Sequence, residues 1–498
     1  MATVSHYRHT NCVLSTEDTH LLNLSPSNAL WDGSNTIACN ELFVAIPWLN
    51  CGGAVVFQHG DHGLAATNPP TVHGQGGSII DVAFNPFHKE QLFTASEDGS
   101  IFGWQIPAEG LKENLTEPFV RLEGHLKKCG IIRFHPSANG VLASASLDKV
   151  VDLWDVEKAT VATELTCHKD YVTGLDWNVD GSLLCSSTRD KKVNIIDPRK
   201  GGFVSTAEGH QNARSQKCVW AKRLDNILTF GWDFMQRREI MVWDPRNMKT
   251  AIHTTCTDQS SAAPMPVFDE DLNLLSVASR GEGRVRNYEL IGGALVHSFD
   301  FSSSESVKGY CSFPKRSLNV KECEISRCYV LGQRKLFSAR MLLPRKMAAE
   351  EFQENVYPPT FADKPAISAK DYFDSKKNAR PLEVNMKYLF DGSAPPTAAT
   401  SAKEHVKNTA PAVSAPSREE VKKPHVHEKE KLTSTAAGRV HVDPSTPKEA
   451  DVKKHATLRS LCAKLESQRA ELEKLRAETR KKEDEVMKTI EELQNLAL

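Results

Sequence analysis

Residues 124–155 of the chain read GHLKKCGIIRFHPSANGVLASASLDKVVDLWD. The stretch opens on Gly-His and closes on Trp-Asp, and short apolar runs such as GIIRF and VLASA lie between Pro, Asn, Gly and Asp. Short alternating apolar runs separated by turn-forming residues are typical of antiparallel strands joined by tight turns. The stretch therefore predicts a small antiparallel sheet.

The same pattern recurs along the chain. The opening polar residue, which is Gln75, His125 or His168, precedes a turn Asp by 23, 23 and 22 residues. In each copy that Asp precedes an aromatic or apolar residue by six positions, in the pairs Asp98 and Trp104, Asp148 and Trp154, and Asp190 and Ile196. A fourth copy begins at Gly209-His210, ends at Trp243-Asp244 and lacks the turn Asp. A repeat of about 40 to 50 residues with these ends is the signature of a four-stranded blade of a WD-repeat β-propeller.

A buried polar relay explains why these residue types recur. We expect Asp148 to accept hydrogen bonds from His125 and Ser146, and His125 to reach Trp154 in turn, which would fix strand register within the blade. The next copy offers the corresponding set His168, Thr188 and Asp190. His, Ser and Asp also form hydrolase triads, but a set that recurs in successive copies without a strand-to-helix nucleophile elbow favours architecture over catalysis.

Composition and charge narrow the function classes. Of 498 residues, 40% are apolar and 25% charged, and 62 Lys and Arg balance 63 Asp and Glu, so no net field attracts nucleic acid. We find no transmembrane run and no signal peptide, and the twelve cysteines form no C-x-x-C pair, so a cytoplasmic protein without structural disulfides is expected. No phosphate loop, nucleophile motif or metal-ligand spacing is present; His425 and His427 stand alone in a polar segment. We therefore expect no enzyme activity, no cofactor and no metal.

Several longer stretches resemble the coronin family. They are WDGSNTIACNELFVAIPW (31–48), CGGAVVFQH (51–59), IIDPRKGGFVSTAEGHQNAR (195–214), TFGWDFMQRREIMVWDP (229–245), SFPKRSLNVKECEISRCYVL (312–331), LLPRK (342–346) and VYPPTF (356–361). The resemblance implies an all-β, seven-bladed WD-repeat β-propeller with a C-terminal extension, a flexible linker and a C-terminal α-helical coiled coil. We place these parts at 1–344, 345–395, 396–455 and 456–498. The resemblance to coronins also implies a protein that binds actin filaments and regulates their turnover, with the branched-filament nucleating complex and cofilin as further partners.

Candidate actin contacts are basic residues in the matching stretches, because actin filaments carry an acidic outer surface. They are Arg8, His20, Lys315, Arg316, Arg345 and Lys346. His20 stands where the family carries an Arg implicated in filament binding, so this contact is expected to be weaker at neutral pH.

The last segment has the pattern of an oligomerising helix. Between 456 and 498, eight of twelve heptad a and d positions are apolar, which favours a coiled coil over a solvated helix. The residues expected to pack are Leu458, Leu461, Leu465, Leu472, Leu475, Val486, Ile490, Leu493 and Leu496. The number and direction of helices stay open, with a homotetramer favoured over a trimer or dimer.

Two functions follow from this organisation. The first is a coronin-like protein that bundles or crosslinks actin filaments, since a coil that gathers several propellers raises their effective concentration on a filament. The alternative is a general WD-repeat adaptor in trafficking or signalling that does not bind actin, because propellers serve many functions.

Overall fold

The computed structural model describes residues 4–29, 31, 33–49, 52–212, 214–394, 396 and 400–401. They belong to a compact unit that spans Met1–Lys407. A second unit, Asn408–Leu498, lies outside the described residues, and so do the predicted coiled coil and nearly all of the predicted linker. Within the described ranges, no helix is long and apolar enough to cross a membrane.

The first blades follow one another along the chain. The N-terminal segment provides β1 (Asn11–Leu14) and β2 (Leu21–Leu22), which are separated by a 3-10 turn at Glu17–Thr19. The next five strands along the chain are β3 (Ala38–Cys39), β4 (Phe43–Pro47), β5 (Gly53–Gln58), β6 (Gly63–Leu64) and β7 (Thr71–His73). Blade 1 itself consists of β3, β4, β5 and β7, whereas β6 pairs elsewhere.

Blades 2 to 4 each consist of four consecutive antiparallel strands. Blade 2 has β8 (Ile79–Phe84), β9 (Gln91–Ser96), β10 (Ile101–Gln105) and β11 (Val120–Leu122). Blade 3 has β12 (Cys129–Phe134), β13 (Val141–Ser146), β14 (Val151–Asp155) and β15 (Thr160–Leu165). Blade 4 has β16 (Val172–Trp177), β17 (Leu184–Thr188), β18 (Lys192–Asp197) and β19 (Gly202–Glu208).

Blades 5 and 6 repeat this order, although their sequences match the repeat less well. Blade 5 has β20 (Lys217–Ala221), β21 (Asn226–Trp232), β22 (Arg238–Trp243) and β23 (His253–Asp258). Blade 6 has β24 (Pro264–Asp269), β25 (Leu274–Ser279), β26 (Arg284–Ile291) and β27 (Ala294–Ser302).

Blade 7 combines strands from both ends of the described chain. Its own strands are β28 (Gly309–Ser312), β29 (Glu324–Leu331) and β30 (Lys335–Leu342), and two 3-10 turns at Lys315–Ser317 and Val320–Glu322 lie between the first two. β1 and β2 pair antiparallel with β30, and β6 pairs parallel with β2. The N-terminal segment thus completes the seventh sheet, which confirms the predicted seven-bladed propeller.

The core lies between neighbouring blades. Strand residues on facing sheets form shared apolar clusters, as where Phe93 of blade 2 packs with Leu142 and Trp154 of blade 3. Turn geometry supports these contacts: Gly99 has a φ of +91°, and a Cβ there would lie 2.7 Å from the carbonyl oxygen of His125. Only glycine fits that close approach.

Residues after Leu343 run across one side of the blades and contain short elements. These are β31 (Thr360–Phe361), α1 (Ala369–Phe373), β32 (Leu382–Val384), α2 (Lys387–Asp391) and β33 (Thr400–Ser401). Tyr372 of α1 is buried among residues of blades 3 and 4, and its hydroxyl donates to the Gly181 carbonyl at 3.1 Å. Val356, Tyr357 and Met386 join the apolar cluster of blades 6 and 7.

Candidate binding surface and blade relays

Blade 3 contains a complete polar relay, but one of its members differs from the sequence prediction. His125 Nδ1 lies 3.2 Å from Asp148 Oδ2, and its Nε2 lies 2.7 Å from Ser144 Oγ. Trp154 Nε1 donates to the same Ser144 oxygen at 2.8 Å. Because a carboxylate only accepts, Nδ1 donates to Asp148 and Nε2 accepts from Ser144. Although burial alone raises the pKa of Asp148, hydrogen bonds from His125 and backbone amides lower it to about 2.

The predicted role of Ser146 is therefore corrected. Its hydroxyl donates to the Lys127 carbonyl at 3.0 Å and accepts from the Asp148 amide at 3.2 Å, so it does not donate to the Asp148 carboxylate as predicted. The reason is the period of a strand: Ser144 and Ser146 point to the same face, but Ser144 is paired with Asp152, two residues before Trp154, so its hydroxyl is within reach of the indole, whereas Ser146 lies at the end of β13. The direct hydrogen bond expected between His125 and Trp154 is replaced by the bridging hydroxyl of Ser144, although the two rings lie edge to face with their centres 6.2 Å apart.

The relay varies in the other repeats. In blade 4, His168 Nε2 lies 3.0 Å from Ser186 Oγ, while Thr188 donates to Asp190. The predicted hydrogen bond from Thr188 to Asp190 is present, and the hydroxyl that contacts the imidazole belongs to Ser186, which the repeat did not single out. Burial lowers the pKa of His168 to about 4, so this imidazole is neutral at pH 7.

Blade 5 keeps a relay without the turn Asp. His210 contacts Glu239 Oε1 at 2.8 Å and Thr229 Oγ1 at 3.1 Å, and Trp243 donates to the same threonine at 2.9 Å. The carboxylate comes from β22 rather than from the turn. The spacing of the repeat could not reveal it, because Glu239 lies outside the turn position that the other copies use.

Three of the six candidate actin contacts lie at one end of blade 7. Asn11 of β1 pairs with Leu342 of β30, so residues just before Asn11 and just after Leu342 emerge at the same end of the sheet. Arg8, Arg345 and Lys346 are exposed there. Arg345 is close enough to Tyr7 to oppose the rise in the pKa of that phenol, which burial and Glu289 cause. Among the described residues, neither Arg345 nor Lys346 has an ion-pair partner. We call these three residues the blade 7 edge.

The N-terminal segment is held at this edge by polar contacts. His6 Nδ1 lies 2.6 Å from Glu289 Oε1, and Ser5 Oγ donates to Glu289 Oε2 at 2.7 Å. Both contacts join the segment to blade 6. The backbone next to Arg8 is therefore held in place, while the Arg8 side chain itself is exposed.

Lys315 and Arg316 differ from the expected free surface cations. Lys315 forms an ion pair with Asp269 and donates to the Ile325 carbonyl at 2.6 Å. Arg316 lies 2.8 Å from Glu41 and 2.8 Å from Asp363, so it joins blade 1 to the C-terminal extension. Their side chains are only 15% and 16% exposed. These charges are satisfied within the fold.

His20 is also placed differently from the expectation. It is 7% exposed, its Nε2 lies 2.9 Å from the Ser15 carbonyl, and its ring packs 5.5 Å from that of Phe337. Little of this ring is exposed, so the structure places His20 among the enclosed candidates rather than the exposed ones. The residues around His20 in the sequence could not show this, because the burial of His20 depends on Phe337, which lies far away in the chain.

The sequence did not single out the residues that hold the extension to the blades. Arg223 of blade 5 pairs with Asp271 at 3.1 Å and with Glu383 of the extension, and its guanidinium lies 4.5 Å from the ring centre of Phe361. Arg199 of blade 4 lies 4.4 Å from the ring centre of Tyr372. Each is an Arg in a loop between strands, and nothing in local spacing separates such a residue from a solvated one.

The predicted oligomerisation residues between Leu458 and Leu496 lie outside the described residues. Within the part of the chain that the structure describes, no group of three or more His, Cys, Asp or Glu side chains is arranged to hold a metal ion.

Comparisons with known proteins agree with this architecture. Residues 159–197 match a family profile described as "WD domain, G-beta repeat", residues 340–380 match a "Type of WD40 repeat", and residues 1–59 match a "Domain of unknown function (DUF1899)". The WD40 domain of Toxoplasma gondii coronin has a similar solved structure, with a TM-score of 0.71, 29% identity, and coverage of 77% of this chain and 98% of that one.

Curated relatives extend the likeness over most of the chain. The "Coronin-like protein" of Saccharomyces cerevisiae is 33% identical to this chain over 78% of this chain's residues. The matched region covers 62% of the length of that protein. "Coronin-A" of Dictyostelium discoideum is 32% identical over 77% of this chain and 85% of its own length. A relative with this identity over most of both chains shows common descent as well as a common fold. The chain belongs to the coronin family of WD-repeat proteins.

Proposed function

We propose that the chain is an actin-filament-binding protein that bundles or crosslinks filaments, and that the blade 7 edge contributes to filament contact. Family membership supports the actin association. The observation that carries the choice of surface is the exposure of Arg8, Arg345 and Lys346 at the same end of one sheet, beside paired and enclosed candidates such as Arg316 and His20.

The positive charge of the blade 7 edge supports its role in filament binding. An acidic filament attracts exposed cations, and exposed charges are screened as salt rises. Because the blade 7 edge consists of exposed cations, its contribution to binding should fall between low and physiological ionic strength. Lys315 and Arg316 already neutralise Asp269, Glu41 and Asp363, so they would have to break those pairs to bind a filament.

Co-sedimentation of the purified full-length chain with actin filaments tests the proposal. We expect R345E/K346E to weaken filament binding about tenfold at low salt. The matched control K112E/K249E makes the same change of charge at exposed lysines of blades 2 and 5 and should retain binding. Equal loss in both variants would indicate a response to net charge alone, and equal binding by R345E/K346E and the unmodified chain would contradict the proposed surface.

Bundling is tested separately by deleting residues 456–498. The proposal includes oligomerisation through this segment, so deletion should abolish pelleting of filaments at low centrifugal force while binding by single propellers remains. If the shortened chain bundles as well as the full chain, the coiled coil is not the crosslinking element. Failure of the full chain to bind filaments at either salt concentration would instead favour the adaptor function.

The proposal also includes the branched-filament nucleating complex and cofilin as further partners at the actin cytoskeleton of the cytoplasm. Assays of branched assembly and of filament severing with the purified chain test these two partners individually.

A further inference from the structure

Four described cysteines form two thiol pairs, and each pair joins neighbouring blades. Cys39 of β3 and Cys311 of β28 lie with their sulfur atoms 3.4 Å apart, between blades 1 and 7. Cys185 of β17 and Cys218 of β20 lie 3.6 Å apart, between blades 4 and 5. A disulfide bond needs a sulfur separation of about 2.05 Å, so each pair would have to close by roughly 1.5 Å.

The two pairs differ in their access to solvent. Cys39 and Cys311 are both partly exposed, whereas Cys185 is 0% and Cys218 only 5% exposed. The first pair therefore lies nearer to solvent than the second, which favours its reaction with a small oxidant. Reactivity of a thiol depends on access as well as on its ionisation, so the two pairs should react at different rates even though their sulfur separations are similar.

We propose that Cys39 and Cys311 form an oxidative modification site at which a hydroperoxide produces a disulfide between blades 1 and 7. One cysteine loses its thiol proton to solvent, and its thiolate attacks a peroxide oxygen; the O–O bond breaks, a sulfenic acid forms, and the leaving hydroxide or alkoxide takes up a proton to become water or alcohol. The second cysteine then loses its proton, its thiolate attacks the sulfenic sulfur, the S–O bond breaks, and the leaving hydroxide takes up that proton as water. The two thiols are oxidised by two electrons and the hydroperoxide is reduced by two.

The environment of the pair disfavours ionisation of one of its thiols. Burial of the Cys311 thiol, together with the neighbouring Cys39 thiol, raises the pKa of Cys311 well above its ordinary value. Any step in which the Cys311 sulfur attacks as a thiolate is therefore slower than it would be for an unperturbed thiol. Cys39 also donates to the Ser312 carbonyl at 3.2 Å, which holds its sulfur beside the strand that carries Cys311.

The position of this pair gives the bond a mechanical consequence. Blades 1 and 7 meet where β1, β2 and β6 from the N-terminal part of the chain join β30, so hydrogen bonds and a shared apolar cluster close this seam without a covalent link in the reduced protein. A disulfide between residues 39 and 311 would close it covalently and constrain nearly the whole propeller in the unfolded state. Cross-links that close long loops stabilise a fold mainly through this constraint.

The test uses the full chain, reduced and diluted, with hydrogen peroxide as the oxidant. Peptide mass spectrometry without reduction measures the fraction linked between residues 39 and 311 and between 185 and 218. We expect the 39–311 link to form several-fold faster than the 185–218 link and to raise the thermal midpoint by several degrees, reversibly with a dithiol reductant.

Matched variants identify the pair. Cys39→Ser should remove both the link and the rise in thermal midpoint, whereas Cys185→Ser should leave both unchanged; Cys311→Ala serves if Cys39→Ser does not fold. The proposal is overturned if Cys39 accumulates sulfinic or sulfonic acid without a link, or if the 185–218 link forms at the same rate. It is also overturned if the linked protein melts at the same temperature as the reduced one. None of these readouts depends on actin binding.

Discussion

Blade 3 and blade 7 are stabilised by polar groups of different kinds. In blade 3, His125, Ser144 and Trp154 form a hydrogen-bonded relay that ends on Asp148. Blade 7 has a buried carboxylate instead: Glu324, which is 0% exposed, accepts from Arg327 at 2.6 and 2.7 Å and from Arg340 at 3.0 Å. The first arrangement recurs at a fixed spacing, whereas the second depends on pairing between β29 and β30.

The difference shows how a propeller can keep one architecture with unlike chemistry. A relay built around a neutral hydroxyl depends mainly on hydrogen-bond satisfaction and on the packing of the indole. An ionic cluster gains attraction in a poorly solvated site but leaves an uncompensated charge if one partner is lost. The two blades should therefore respond differently to substitution and to pH.

The largest effect is expected from removing the indole of blade 3. Trp154 is fully buried, so Trp154→Ala should cost about 4 kcal/mol through lost packing and the cavity that remains. Equilibrium urea unfolding measures this cost. Trp154→Phe keeps much of the volume and removes only the donor to Ser144, so it should cost less; similar losses in both would mean that the hydrogen bond, not packing, dominates.

The ionic cluster of blade 7 should show the next largest effect. Glu324→Gln leaves Arg327 and Arg340 without their shared carboxylate, and we expect a loss of about 3 kcal/mol. Glu322→Gln is the matched control, because Glu322 also pairs with Arg340 but is 49% exposed, and it should cost under about 1 kcal/mol. An equal cost at both positions would show that burial does not set the strength of this cluster.

A smaller loss is expected at the hydroxyl that distinguishes the observed relay from the predicted one. Ser144→Ala leaves His125 and Trp154 without a common partner, at a cost of about 2 kcal/mol. Ser186→Ala in blade 4 is the control, since Ser186 contacts His168 but Ile196 stands where blade 3 has its indole. Urea midpoints should fall further for Ser144→Ala, and the reverse order would contradict the bridging role.

The smallest effect is a difference in pH dependence between the blades. Burial, together with Glu164 and Asp148, raises the pKa of Asp152 in blade 3 to about 6, although His125 opposes the shift. The folded state therefore holds this proton more tightly than the unfolded state, and stability falls as pH rises from about 4 to about 6. Asp152→Asn should raise stability by about 1 kcal/mol at pH 7.5 and lose that advantage below pH 4.

Glu324 should show the opposite sign. Burial alone would raise its pKa, but hydrogen bonds from Arg327, Asn319 and Arg340 lower it, so its stabilisation is present above the ordinary Glu value and is lost as pH falls. Thermal midpoints measured from pH 3 to pH 8 compare the two variants, with exposed Asp18→Asn as a control. Parallel pH profiles for Asp152→Asn and Glu324→Gln would contradict this distinction.

The spacing of His125, Asp148 and Trp154 was sufficient to predict the propeller, because a relay that recurs with each blade leaves a period in the sequence. Family resemblance supplied the number of blades, since blades 6 and 7 lack the relay residues that mark the repeat. Local alternation of apolar residues also indicated the strands of blade 3, whose inward faces are buried.

Other features depended on tertiary structure. Sequence alone determined the repeat, the residue types of the relay and the basic stretches around Arg8, Lys315 and Arg345. Only the folded chain decided that Ser144 rather than Ser146 bridges the relay, that Lys315 and Arg316 are paired, and that His20 is enclosed beside Phe337. The physical reason is that charge pairing and burial arise from contacts between residues up to about 300 positions apart. The repeat in the sequence reflects only the hydrogen bonds and packing that form within a single blade.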